Sequence, residues 1–175
     1  MKKKIVLIGF IAVLLFVQLT GCSIIEGVNN KRYTSPDGTF SITVETLVRW
    51  KEYKEVENRI DLMEDGKDNA ITIERISKEE ADYVSYADIT EFGERYMENV
   101  NVLEFTVGNG DLELSNDLFI EVKIYELLMS HEGKDYYGYL EFVTTEEDIF
   151  IILISGSNKN IVENYKEVAN TLELN

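Results

Sequence analysis

The stretch Asp148-Ile149-Phe150-Ile151-Ile152-Leu153-Ile154-Ser155-Gly156 decides how this chain folds. Six consecutive apolar residues, four of them the β-branched Ile, stand between two turn signals, Thr145-Glu146-Glu147-Asp148 and Ser155-Gly156-Ser157. The run is short for a helix and has no polar alternation, so it predicts a strand buried on both faces. Such a strand lies in the middle of a sheet, and something must cover the sheet on each side. Immediately before it, Phe119 to Ser130 and Tyr136 to Thr144 are long strand-forming runs joined by His131-Glu132-Gly133-Lys134-Asp135. Connections this short join antiparallel neighbours.

Working back toward the N-terminus, the same signals recur. Arg32 to Thr34 and Thr39 to Val44 flank the turn Ser35-Pro36-Asp37-Gly38, and Phe40, Ile42 and Val44 alternate with polar residues. Leu47, Val48 and Trp50 precede a charged stretch, and Arg59 to Met63 with Ala70 to Ile76 read as a hairpin around residues 64–69. Ile89, Phe92, Tyr96 and Val100 form one helical stripe, with Ser85 placed to cap it and Gly93 inside it, where a glycine allows close packing. Leu103, Phe105 and Val107 alternate, Gly108-Asn109-Gly110-Asp111 turns the chain, and Leu112 and Leu114 read as a short return strand. After the central run, Ile161, Tyr165, Val168 and Leu172 place a final helix over Asn158 to Leu172, capped by Ser157. The expected fold is therefore one α+β domain, a twisted antiparallel β-sheet flanked by helices.

Composition bounds the function. The 175 residues carry 17 Lys and Arg against 33 Asp and Glu, a formal charge of −16. Neutralising a nucleic-acid backbone needs clustered cations, so nucleic acid is excluded as a partner. Three of the cations, Lys2, Lys3 and Lys4, precede an apolar run from Ile5 to Val17. That run falls short of the about 20 residues a membrane-spanning helix needs, and its order is that of a secretory signal. The single cysteine follows at once, in Leu19-Thr20-Gly21-Cys22. These four residues resemble the lipobox of bacterial lipoproteins. The resemblance implies a signal peptide over 1–21, a diacylglyceryl group on the sulfur of Cys22, and an acylated tether over 22–31. It places the protein at the cell membrane, lipid-anchored on the extracytoplasmic face. Two acyl chains suffice for stable anchoring where one does not.

Over the remaining chain, 32–175, the order of hairpin, aromatic, second hairpin, helix, meander and closing helix resembles the PsbP/DcrB-like domain. Tyr33 with Asp37-Gly38-Thr39-Phe40-Ser41-Ile42, Trp50 some way beyond, and the Ile149–Leu153 strand with the Asn158–Leu172 helix carry that likeness. The family commonly has a proline shortly before the Trp, and Leu47-Val48-Arg49-Trp50 lacks one. The resemblance implies a PsbP-like α/β/α sandwich and an accessory or assembly role in the cell envelope. No residue here carries over the metal-retention role of the plant photosystem member.

The chemistry-bearing residues are sparse. His131 is the lone histidine and stands in a turn beside Glu132. With Cys22 acylated, a zinc site built from His and Cys is excluded. Glu64, Asp65 and Asp68, and Glu146, Glu147 and Asp148, make two acidic turns that lack the ligand spacing of a calcium loop and read as solvated. Gly108 and Gly110 lack the context of a dinucleotide site. Tyr136, Tyr137 and Tyr139 cluster on one strand and Tyr125 on the one before; alternation puts Tyr137 and Tyr139 on one face and Tyr136 on the other. Exposed, they would suit a protein or glycan contact. The sequence thus predicts no catalytic residue, no bound metal and no cofactor. It points to a non-enzymatic, membrane-anchored accessory or assembly factor with an envelope protein partner. An extracytoplasmic binding module for a cation or small solute is the alternative, and a hydrolase using a carboxylate pair ranks last.

Overall fold

The computed structural model describes residues 29–46, 48–98, 102–108 and 117–175. The predicted leader, Cys22, Val100, Leu112 and Leu114 lie outside the described residues. Among the described residues ten strands form two antiparallel sheets. β3 (Trp50–Tyr53), β4 (Arg59–Glu64), β5 (Ala70–Ser77), β6 (Val102–Val107), β7 (Glu121–His131), β8 (Lys134–Thr144) and β9 (Asp148–Gly156) make a seven-stranded sheet in the order β3-β4-β5-β9-β8-β7-β6. β1 (Asn29–Thr34), β2 (Phe40–Thr46) and β10 (Glu173–Leu174) make a three-stranded sheet in the order β1-β2-β10. Two α-helices among the described residues, α1 (Ile89–Glu98) and α2 (Lys159–Tyr165), make the fold α+β.

β9 occupies the centre of the large sheet, as its unbroken apolar run requires. Its even-numbered side chains, Phe150, Ile152 and Ile154, join the core beneath the small sheet and α2; Ile149 and Ile151 join the core beneath α1. Each fully buried Ile or Phe contributes about 1.5–3 kcal/mol, so this strand serves two cores at once. On the first face Phe40 of β2 packs edge-on against Phe150 at 5.4 Å. On the second, Phe92 of α1 packs edge-on against Phe142 at 5.6 Å. Gly93 brings the helix this close: a Cβ there would lie 3.0 Å from both the Phe142 and Tyr125 rings.

Several local expectations change. The first hairpin does not extend the main sheet but lies over it, so one covering layer is a small sheet together with α2 rather than a helix alone. Apolar residues at alternate positions make a covering face as well as a central one, and periodicity does not distinguish them. β1 begins at Asn29, inside the segment 22–31 assigned to the tether. Trp50 opens a strand of its own, β3, whose polar residues hid it. Ser85 is not the cap of α1: it closes a 3-10 turn, Tyr83–Ser85, and donates to the Asp82 carbonyl at 2.8 Å. Asp88 caps the helix, accepting from the amides of Thr90 (2.8 Å) and Glu91 (3.0 Å), while Glu91 reaches back to the Ala87 amide at 2.8 Å. The closing helix is α-helical only to Tyr165 and continues as a 3-10 stretch, Lys166–Thr171. Its cap is Asn158, which accepts from the Ile161 amide at 3.2 Å, and not Ser157.

Candidate functional site

The β7–β8 hairpin positions the site. Its turn is two residues long, Glu132 and Gly133, both with positive φ (52° and 76°). That is the mirror-image turn whose twist matches a strand pair, and it fixes the register of the long ladder beyond it. His131, expected in the turn, is instead the last residue of β7, paired with Lys134. The register places Tyr139 opposite Glu126 and Tyr137 opposite Leu128. On the other side Thr106 of β6 stands opposite Glu126, and Glu104 opposite Leu128. Glu104, Thr106, Glu126, Leu128, Tyr137 and Tyr139 therefore share one face. Across it lies α2, and between helix and sheet is an open cleft of about 170 Å³ to which Lys159, Val162 and Glu163 also contribute.

At the cleft floor the Tyr139 hydroxyl donates to Glu141 Oε2 at 2.7 Å. Glu141 follows Tyr139 on the same face of β8 and is 3% exposed. Burial pushes its carboxyl up to about 7, and the hydrogen bond from Tyr139 offsets this only in part. Burial also pushes the Tyr139 hydroxyl far above its ordinary value, with the Glu141 charge adding to it. The hydroxyl is therefore a permanent donor, and Glu141 changes charge near neutrality. At the rim, Lys159 pairs with Glu126 at 2.8 Å and Lys166 with Glu163 at 2.7 Å. Glu104 makes no ion pair among the described residues.

The strand bordering the cleft is the second feature. β6 is an edge of the large sheet, and among the described residues it pairs with β7 alone. A bulge lies between Val102 and Glu104. Leu103, Phe105 and Val107 are 56%, 47% and 54% exposed. Phe105 and Val107 point to the face opposite the cleft, where Phe105 leans on the Tyr125 ring at 5.8 Å.

The tyrosines divide as alternation predicted. Tyr137 and Tyr139 line the cleft, half-exposed and buried respectively, whereas Tyr125 is buried on the α1 face and donates to the Thr90 carbonyl at 3.3 Å. Tyr136 reaches Asp68 at 3.5 Å. The acidic turns do not converge on a ligand. In the first, Asp65 pairs with Lys51 (2.7 Å) and Asp68 with Lys134 (3.2 Å). Glu64, expected in a solvated turn, is buried and held by Lys67 and by Asn69 Nδ2 at 2.6 Å. Burial pushes its carboxyl up, but those hydrogen bonds and the Lys67 charge outweigh it, leaving it below the ordinary value. In the second turn Glu146 and Glu147 are exposed, and Asp148 faces Arg75 at 3.9 Å. Among the described residues no group of three His, Cys, Asp or Glu side chains is arranged to hold a metal ion.

Glu141, Glu126, Lys159 and Glu163 were not singled out in the sequence. The available signal was the spacing Tyr139-x-Glu141, which alternation puts on one face; the rim depends on where α2 lands.

No family model matches the chain, and no curated protein matches it. In fold it is similar to a protein from Bacteroides thetaiotaomicron known from its crystal structure, with a TM-score of 0.50 and 15% identity over 83% of this chain. The chain spans about half that protein's length, 48%. At this identity the likeness concerns the fold alone.

Proposed function

We propose that this protein is an exported lipoprotein, anchored through acylated Cys22 to the extracytoplasmic face of the cell membrane, and that its domain acts as a non-catalytic accessory or assembly factor for an envelope protein. In this reading the domain is of the PsbP/DcrB-like kind, with the small sheet standing in part of one covering layer of its sandwich. The observation that carries the proposal is the outer edge of β6, which has no partner strand among the described residues and where Leu103, Phe105 and Val107 remain exposed beside a cleft lined by tyrosines. Exposed apolar side chains on a free sheet edge are an adhesive surface that a protein without a partner has reason to avoid. In-cell crosslinking of the anchored protein, with Cys22→Ala as control, tests this. The expected result is an abundant partner that is lost with the anchor. No reproducible partner would overturn the reading.

A second reading, a binding module for a cation or small solute, draws support from the carboxyls around the cleft: Glu104, Glu126 and Glu163 at the rim and Glu141 beneath. It predicts that a cation or solute taken up there raises the melting temperature, since a ligand of the folded state alone stabilises it.

A further inference from the structure

We infer that the β6 edge receives an extended segment of a partner protein whose residues alternate between apolar and basic. The inference rests on the accessory-factor reading and specifies the chemistry of the partner. A strand added to a sheet edge bonds through its main chain and sends successive side chains to opposite faces. Among the described residues β6 pairs with β7 alone, and the two faces that an added strand would meet there differ sharply. On one lie Phe105 and Val107, exposed and apolar, with the Tyr125 ring behind Phe105. On the other, Glu104 and Thr106 lead into the cleft, where Glu126, Glu163 and Tyr139 follow, the Tyr139 hydroxyl bonded to the buried Glu141. Two lysines, Lys159 and Lys166, offset Glu126 and Glu163, while Glu104 has no cation of its own among the described residues.

Charge complementarity selects the occupant. An acidic strand would meet these carboxyls and the −16 charge of the chain. A second copy of this protein would bring the same charge to the same edge. A segment with Lys or Arg at every second position would place its cations over Glu104 and in the cleft and its apolar side chains against Phe105 and Val107. The tyrosines suit this, because their ring faces attract cations and their hydroxyls bond without a charge penalty. The rim lysines release their surface carboxylates at little cost, since exposed ion pairs contribute little.

The experiment uses the full chain in detergent micelles and fluorescently labelled short peptides of alternating valine and lysine, valine and serine, or valine and glutamate. At low ionic strength the lysine peptide is expected to bind at least about tenfold more tightly than the glutamate peptide, with the preference shrinking as salt is added. Paired substitution of Glu104→Gln and Glu163→Gln should erase most of the preference, and Phe105→Ser should weaken all binding. Glu104→Gln alone, at an exposed position, provides the same test should the pair disturb folding, which circular dichroism monitors. Failure of all peptides to bind, binding unaffected by these substitutions, or self-association of the chain through this edge would each overturn the inference. A partner named by crosslinking in any of those cases would leave the accessory-factor reading standing.

Discussion

The two edges of the large sheet treat the same problem in opposite ways. β3 is four residues long, carries Lys51 and is followed at once by Lys54, paired with Asp65 and Glu52 respectively. Its one large apolar anchor, Trp50, turns inward, where it is 8% exposed and meets the Tyr165 ring edge-on at 5.0 Å. Brevity and lysines are how natural sheets discourage strand addition. β6 has no lysine or arginine, and beyond the half-buried Val102 its apolar side chains, Leu103, Phe105 and Val107, stay exposed. The cover over the sheet follows the same division. The small sheet and the closing helix cover one face of the sheet as far as β8 and part of β7, where Ile124, Tyr139 and Val143 join the same core, and the cleft opens between α2 and β6. The difference teaches that apolar area stabilises the fold at one edge and remains available for contact at the other.

Trp50→Ala should break the closed edge. Removing a buried Trp costs about 3–5 kcal/mol, so the denaturant midpoint should fall steeply; a loss below about 1 kcal/mol would mean that β3 is not anchored by this side chain.

Glu141→Gln probes the border between the sealed and open flanks. The Glu141 carboxyl has a folded-state value of about 7 against an ordinary 4.5, so between those values the folded state holds more proton than the unfolded one. Its contribution is therefore present below pH 4.5 and is lost as pH rises through 7. The full excursion is about 3 kcal/mol. Melting of the native chain should show this decline from pH 4.5 to 7, and Glu141→Gln should flatten it. An unchanged profile in the variant would assign the pH dependence elsewhere.

Asn69→Ala tests the seal on the closed flank. Asn69 donates to Glu64 and accepts from the Ser157 amide at 3.3 Å, tying the β4–β5 hairpin to the start of α2. Losing both bonds, one of them to the buried Glu64 carboxylate, should cost about 1–3 kcal/mol, seen in chemical unfolding. The smallest effect is expected at the open edge. Leu103→Ser should alter stability by no more than about 0.5 kcal/mol in the same assay. A larger loss would show that β6 is packed as firmly as β3.

Much of this was legible in order and type. The β4–β5 hairpin, the long β7–β8 pair, the buried β9 and the faces of Tyr137 and Tyr139 follow from turn residues and alternation. The capping errors at Ser85 and Ser157 share one cause. Several residues near a helix start can bond a free amide, and Asp88 and Asn158 are the ones whose side chains reach the first turn. β3 was hidden because Lys51 and Glu52 carry no apolar pattern, and Glu141 because its neighbours, not its own spacing, bury it.

The sequence by itself determined the α+β class, the antiparallel order and the central place of β9. These depend on residue period and turn chemistry, which act between near neighbours. Tertiary structure decided that the first hairpin covers the sheet rather than extending it. It also decided that α2 stops short of β6, and that Tyr139 and Glu141 meet beneath the resulting cleft. Those outcomes depend on which surfaces come together across the whole chain. The charge state of Glu141 belongs with them, because desolvation is set by everything packed around a group and not by the residue alone.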